Sequence, residues 1–217
     1  MSRLAGTRVV VSAGPTFEDL DPVRFLGNRS SGKMGFAVAA AAVARGADVL
    51  LVAGPVTLAT PAGVERIDVR SAAQMHAAVM AALPCDVYIA AAAVADYTPV
   101  CVSPCKLKKR PGQDGLVLEL VRTRDILAEV ASHAQRPRVV VGFAAETHDV
   151  EAYARGKLVA KRLDLIAANR VGIAGSGFES DENTLHVFSA ENAHTVGPGA
   201  KRDIAVGLLD LVEARLA

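Results

Sequence analysis

The sequence predicts a doubly wound α/β protein with a mostly parallel, Rossmann-like sheet, and three observations carry that expectation. Short β-branched runs alternate with alanine-rich helical stretches along the chain. The strand runs are apolar at almost every position, as expected of strands buried on both faces of a parallel sheet. The two longest interruptions of the rhythm each follow a strand, at the end where such sheets bind ligands.

The first strand is predicted over residues 8–12 and the first helix over 33–45. Strands at 48–53 and 64–69, a helix at 71–83, and strands at 86–92 and 138–143 follow. A helix at 150–162, a strand at 164–168 and a closing helix from about 202 to 216 complete the series. Gly46 stands where a left-handed helix C-cap is wanted, and Ser71 where an N-cap is wanted. Residues 13–32 read as an unusually long turn, and 95–115 as a loop rich in Pro, Lys and Gly. With no repeat, low-complexity tract or linker, residues 1–217 are expected to form one domain.

Hydrophobic residues make up 51% of the chain, yet no apolar run reaches the roughly 18 residues of a membrane helix, so a water-soluble protein is expected. The start, Met1-Ser2-Arg3-Leu4-Ala5-Gly6, has no secretory apolar region, and the cytoplasm is the expected location. Cys85, Cys101 and Cys105 are an odd number, which fits a reducing compartment better than a disulfide framework. Cys101 and Cys105 make a C-x3-C pair without the further ligands that structural zinc needs. The formal charge of +1 gives no reason to expect nucleic-acid or membrane binding, so any anion must be held by local cationic clusters.

Gly27-Asn28-Arg29-Ser30-Ser31-Gly32-Lys33-Met34 nearly spells the phosphate-cradling P-loop pattern, but Met34 lacks the hydroxyl that would bind magnesium. What remains is either a general anion site at a helix N-terminus or a serine N-cap with a glycine turn. Ser12-Ala13-Gly14-Pro15-Thr16-Phe17-Glu18 lacks the dinucleotide glycine fingerprint, and Pro15 removes a donor where pyrophosphate would sit. A NAD or FAD enzyme is therefore disfavoured. Lys106-Leu107-Lys108-Lys109-Arg110 has the charge density to hold a triphosphate, or is a solvated loop. Lys157 and Lys161 share one helical face, which matters if it turns toward the cleft. Phe143 either covers a base or packs in the core. The small side chains of Ala90, Ala91 and Ala92 permit close approach of a flat ligand, and Asp96 is either a magnesium or hydrogen-bonding carboxylate or a turn residue. No histidine sits in a nucleophile motif, and His76 reads as packing or surface.

Taken in order, these motifs resemble the bacterial phosphopantothenoylcysteine synthetases. The resemblance rests on Ser12-Ala13-Gly14-Pro15-Thr16 with Glu18, Leu20-Asp21-Pro22-Val23-Arg24, Asn28 with Ser30-Ser31-Gly32-Lys33-Met34-Gly35, and Ala91-Ala92-Ala93-Val94-Ala95-Asp96. It continues through Lys106 with Lys108-Lys109, Val141-Gly142-Phe143-Ala144-Ala145-Glu146-Thr147, Asp164-Leu165-Ile166-Ala167-Ala168-Asn169 and Gly177-Phe178-Glu179-Ser180-Asp181. It implies a ligase that joins 4'-phosphopantothenate to L-cysteine with CTP and Mg2+, through an acyl-cytidylate. By resemblance Asn28 holds that intermediate, Arg24 supports the loop, and Lys106 stabilises charge at the reacting group. Gly14, Ser30, Ser31 and Gly32 complete the acyl-phosphate loop. CTP is implied at Ala90, Ala91, Ala92, Asp96, Lys106, Val121, Arg122, Thr123, Arg124, Phe143, Lys157 and Lys161, with Asp96 as the candidate metal ligand. Arg124 departs from the Lys-Asn-Pro-like ending usual in that turn. The resemblance also implies a homodimer with a strand-bearing arm and a fused or partner flavin-dependent decarboxylase. Leu4-Ala5-Gly6 resembles the fusion joint, so the chain is expected to be either an excised domain with an added Met1 or a free-standing synthetase.

Overall fold

In the computed structural model, residues 2–109, 114–146, 148–170 and 180–216 are described. The chain begins with β1 (Arg8–Ala13), β2 (Phe17–Asp19), β3 (Phe25–Gly27), α1 (Lys33–Ala44), β4 (Asp48–Ala53) and β5 (Val64–Asp68). There follow α2 (Ala72–Ala81), β6 (Val87–Ala90), β7 (Tyr97–Pro99), β8 (Leu120–Arg122), α3 (Ile126–Ser132) and β9 (Val139–Glu146). The last elements are α4 (Val150–Ala160), β10 (Leu165–Arg170), β11 (Glu182–Phe188), β12 (Ala193–Ala200) and α5 (Lys201–Arg215).

The main sheet runs β12-β11-β10-β9-β6-β1-β4-β5. Six strands, β5 to β10 in that order, pair in parallel, and β11 and β12 add an antiparallel edge. The winding leaves β1 toward β4 and β5, then returns to β6, β9 and β10 on its other side. That reversal between β1 and β6 is the topological switch point, where open α/β sheets carry ligands.

Uniformly apolar strands are explained by cover on both faces. Val9, Val11 and Ala13 face the layer of α1 and α5, with Phe36, Val38, Leu208 and Val212. Val10, Leu50 and Val52 face the layer of α2, α3 and α4, with Met75, Val130 and Leu158. Helix punctuation follows the sequence: Ser71 and Gln74 form a capping box on α2, and Gly46 takes φ 86° just beyond α1.

Three segments hold more structure than their sequence suggests. The turn at 13–32 contains the β2–β3 hairpin, and the 95–115 stretch contains β7, which pairs with β8 just beyond it. The β11–β12 hairpin precedes the closing helix; β12, with two glycines and a proline in eight residues, has little intrinsic strand character.

Buried Glu18 of β2 accepts a hydrogen bond from the Ala72 amide at 2.8 Å, so a carboxylate sits at the N-terminus of α2. Glu18→Ala is expected to cost about 1–2 kcal/mol in a denaturant titration, as cap losses do.

Candidate active site over the switch point

Beyond its last paired residue β1 turns at Gly14, with φ 78°. The Ala93 amide donates to the Gly14 carbonyl at 2.8 Å, and Pro15 and Ala93 form a parallel bridge. Thr16, fully buried, accepts the Ala95 amide on its Oγ1 at 2.9 Å. These bonds carry the β1–β6 pairing past the strand ends, so the loops after both strands lie side by side. Asn28 joins them: its Nδ2 donates to the Val94 carbonyl at 2.9 Å and to that of Ala93 at 3.4 Å.

The N-cap of α1 is Gly32 in the left-handed region, φ 75°, with no side-chain cap and no acidic residue in the first turn. The serine N-cap alternative therefore does not hold, and Gly32, Lys33, Met34 and Gly35 line a cavity. Met34, in the hydroxyl position of a P-loop, packs against the core cluster of the α1 face. The position of a metal-binding hydroxyl is thus taken by a half-buried thioether that also lines the first cavity described below.

Two cavities open over the switch point. The first, about 400 Å³, is lined by Asn28, Ser30, Ser31, Gly32 and Ala91, with Lys33, Asn169, Asn183 and Lys201. The second, about 740 Å³, is lined by Ala90, Asp96, Arg122, Thr123, Arg124 and Lys161. Ala92, Val94, Phe143 and Lys157 border both, so the two are continuous. Phe143 thus packs against the core and walls the cleft at once.

Three cations of the second cavity stand against carboxylates. Lys157 pairs with Glu146 at 2.7 Å, Lys161 with Asp125 at 2.8 Å, and Arg124 with Glu129 at 2.6 Å. Glu129 also takes His76 Nε2 at 3.0 Å, and the hydrogen bonds from Arg124 and then His76 hold its carboxyl below the usual range. Solvent-exposed pairs of this kind are weak, so a multivalent anion can replace the carboxylates. Deeper in the cavity Tyr88 OH and Ser12 Oγ share a hydrogen bond of 3.1 Å; burial pushes the phenol up, so it stays neutral.

Several expected residues lie outside the cavities. Arg24 donates from Nε and NH2 to Asp21 Oδ2 at 3.0 and 2.6 Å, and from NH2 to the Leu107 carbonyl at 2.6 Å. Asp21 Oδ2 accepts the Leu107 amide at 3.0 Å, so the 20–24 turn is tied to the 103–107 segment. Lys106 is exposed beside this tie and lines neither cavity; Lys108 and Lys109 are also exposed. Arg110, Thr147 and Gly177-Phe178-Glu179 lie outside the described residues. Gly14 lies at the turn below the cleft, and Val121 is an exposed β8 residue next to Arg122. Asp96 is exposed on the second cavity wall, and its carbonyl accepts the Thr123 amide at 3.0 Å. Cys101 and Cys105 are exposed free thiols, and no cluster of three metal-capable side chains occurs among the described residues.

Burial pushes the Asp21 carboxyl up, but the Arg24 side chain and the amides of Leu107, Val23 and Arg24 outweigh it and hold it well below the usual range. With the folded value depressed, its contribution to stability is full above the unfolded carboxylate pKa of about 4 and is lost as pH falls through the folded value. Asp21→Asn is expected to lower the melting temperature at neutral pH, with the gap to wild type closing in acid.

Sequence reasoning missed Ser12 and Tyr88, which are buried at strand ends, and Asn183 and Lys201, which the β11–β12 hairpin and α5 bring in. Ser12 and Asn169 stood inside quoted motifs, whereas Lys201 carried no local signal because its neighbours read as a Gly-Pro loop.

A Rossmann-ordered, mostly parallel sheet with two joined cavities over its switch point, bordered by lysines and arginines, defines an α/β protein with a ligand-binding type of cleft. A family model described as the DNA/pantothenate metabolism flavoprotein C-terminal domain matches residues 4–216. The chain belongs to that family. It is 51% identical over 214 residues to the coenzyme A biosynthesis bifunctional protein CoaBC of Vibrio cholerae, covering 98% of this chain and 54% of that protein. It is 49% identical over 205 residues to the protein of the same name from Bacillus subtilis, covering 94% of this chain and 48% of that protein. A crystal structure of the C-terminal domain of coenzyme A biosynthesis bifunctional protein CoaBC superposes with a TM-score of 0.84 at 38% identity, covering 100% of this chain and 98% of that one. The chain spans about half the length of the curated relatives it matches.

Proposed function

We propose that this chain is a phosphopantothenoylcysteine synthetase domain, residues 1–217, which joins 4'-phosphopantothenate to L-cysteine in coenzyme A synthesis, with CTP as the activating nucleotide. The observation that carries the reading is the pair of continuous cavities, which gives room for an acid substrate beside Asn28 and for a nucleotide beside Asp96 and Lys161. The family membership and the naming of full-length relatives for coenzyme A biosynthesis support it.

In this mechanism a carboxylate oxygen of 4'-phosphopantothenate attacks the α-phosphorus of CTP and pyrophosphate leaves. The amine of cysteine then attacks the acyl carbon, the C–O bond to CMP breaks, and the amine proton goes to solvent. Activation is needed because a free carboxylate has no leaving group. Asn28, at the junction of the loops, holds the acyl-phosphate region; Ser30, Ser31 and Gly32 supply donors beside it. Ala90, Ala92, Asp96, Arg122, Thr123, Arg124, Phe143, Lys157 and Lys161 enclose the nucleotide, with Ala91 on the adjoining wall. Arg24 acts by fixing the 20–24 turn against 103–107, the segment that carries Lys106, whose assigned role is to stabilise charge at the reacting group. Of the two carboxylates that line the second cavity, Asp125 pairs with Lys161, and Asp96 is the one that would hold Mg2+, which favours one or two carboxylates plus phosphate over an all-protein cage. When bound, the ion neutralises charge on the leaving pyrophosphate.

A homodimer is part of this proposal. Around the β7–β8 arm Val100, Val117 and Val121 are 56%, 92% and 50% exposed, an apolar surface suited to a second copy. The partner reaction is a flavin-dependent decarboxylation by a fused or separate protein, and the setting is the cytoplasm, consistent with three free thiols.

The test is pyrophosphate release from purified protein with 4'-phosphopantothenate, Mg2+ and CTP, with and without cysteine, and with ATP in parallel. Release that depends on CTP and the acid is expected; no release with either nucleotide would overturn the synthetase reading.

A further inference from the structure

The second cavity carries a pair of polar groups that the proposed mechanism leaves unused. Ser12 of β1 and Tyr88 of β6 both line it, and each is only 1% exposed. Their hydroxyls lie 3.1 Å apart, and either can donate to the other. Burial keeps the phenol protonated, so each hydroxyl brings one hydrogen. The bond between them uses one of the two hydrogens, and neither hydroxyl has another hydrogen-bond partner among the described residues. One donor is left over at a depth where an unmade hydrogen bond is costly.

The surroundings narrow what can meet that donor. The side chains of Ala90, Ile126, Leu127 and Ile166 line the same cavity and offer only carbon. The Thr123 hydroxyl, also in the lining, is spent on the Ala95 carbonyl at 2.7 Å. The cations belong to the outer wall: Arg122, Arg124 and Lys157 are exposed and Lys161 is half-buried. Phosphates stay beside water and cations, because a charge taken from both is very costly to bury. The uncharged end of a nucleotide is then what enters the uncharged floor. A heterocyclic base brings what that floor lacks, a hydrogen-bond acceptor carried on a flat, largely apolar ring.

We infer that the Ser12–Tyr88 hydroxyl pair is a specificity-determining donor for the nucleobase, meeting a ring nitrogen or carbonyl acceptor of the base at the floor of the second cavity. This rests on the reading of that cavity as the nucleotide site. The hydroxyl that accepts from its partner turns its own hydrogen to the base, and the bond it accepts polarises it and strengthens the bond it donates.

The test compares wild type with the double variant Ser12→Ala, Tyr88→Phe in the full chain, by calorimetric titration of CTP and by pyrophosphate release. The double variant removes both hydroxyls with little change of shape and orphans neither partner, so its melting temperature is expected to stay near that of wild type. Its Kd and KM for CTP are expected to rise by ~3–10-fold, the worth of one neutral hydrogen bond, with kcat and the KM for cysteine unchanged. Ribose 5-triphosphate, which has the sugar and phosphates without the base, should bind both proteins alike. Equal affinity of the two proteins for CTP would overturn the inference and leave the pair a packing feature. A loss of the same size for ribose 5-triphosphate would also overturn it, as would a wild type that binds no CTP. If wild type binds CTP more tightly than the double variant yet releases no pyrophosphate, the base contact stands and it is the synthetase reading that falls.

Discussion

Gly54→Ala is expected to destabilise the chain by about 3 kcal/mol or more, or to abolish folding, the outcome of severe overpacking in a closed core. A Cβ at this position would lie 1.7 Å from the Pro15 carbonyl oxygen and 2.8 Å from its carbon. Neither strand can yield cheaply. The Gly54 amide donates to the Ala13 carbonyl at 2.9 Å, and Gly14 and Pro15 are clamped to Ala93 on the opposite side. Relief would have to come from moving the loop that roofs the switch point, so ligand binding should fail along with stability. Gly156→Ala makes the contrasting case, because it lies on an exposed turn of α4 with nothing within 4 Å of its Cβ. A gain of roughly 0.5–1 kcal/mol is expected there from helix propensity. Urea titration of the two variants checks both signs, and a Gly54→Ala protein of wild-type stability would refute the proposed rigidity of the loop.

The largest effect on turnover is expected at Asn28. Its amide donates to two backbone carbonyls, those of Val94 and Ala93, and so fixes the loop of residues 27–32 over the ends of β1 and β6. In Asn28→Asp the donor becomes a carboxylate facing the same two oxygens, which is repulsive and moves the loop. The added negative charge also sits where an acyl-phosphate is to be held. Together these are expected to slow conversion of the acyl-cytidylate by ~10²–10³-fold, the scale seen when one preorganised transition-state donor is lost. A single-turnover experiment should then show the intermediate accumulating before product. Turnover at the wild-type rate would remove Asn28 from the reaction.

Most of the parallel sheet was legible because its strands are apolar on both faces and its helices carry readable ends, such as Ser71 and Gly46. The β11–β12 hairpin was not, because pairing with β10 and burial of Leu185 and Val187 override the poor strand propensity of its glycines and proline. The β2–β3 and β7–β8 hairpins were missed because three-residue strands leave no periodic pattern to read. In the site, the cation-bearing face of α4 and the small residues at the end of β6 could be named because a helix or strand fixes where they point. Lys106 shows the opposite case: charge density identified its loop, but its placement depends on the Asp21–Arg24–Leu107 tie, a long-range contact with no sequence period. Lys201 gave no sign at all, since it enters the cleft only through the turn from β12 into α5.

The central claim is that the acid is activated at the α-phosphorus of the nucleotide, with both cavities occupied together. The most direct measurement uses 4'-phosphopantothenate labelled with ¹⁸O in its carboxylate, turned over with CTP and cysteine, and the products are weighed by mass spectrometry. One label should appear in CMP, because the attacking carboxylate oxygen stays on phosphorus when the amine takes the acyl group. Label in inorganic phosphate, or none in any phosphate product, would contradict the account.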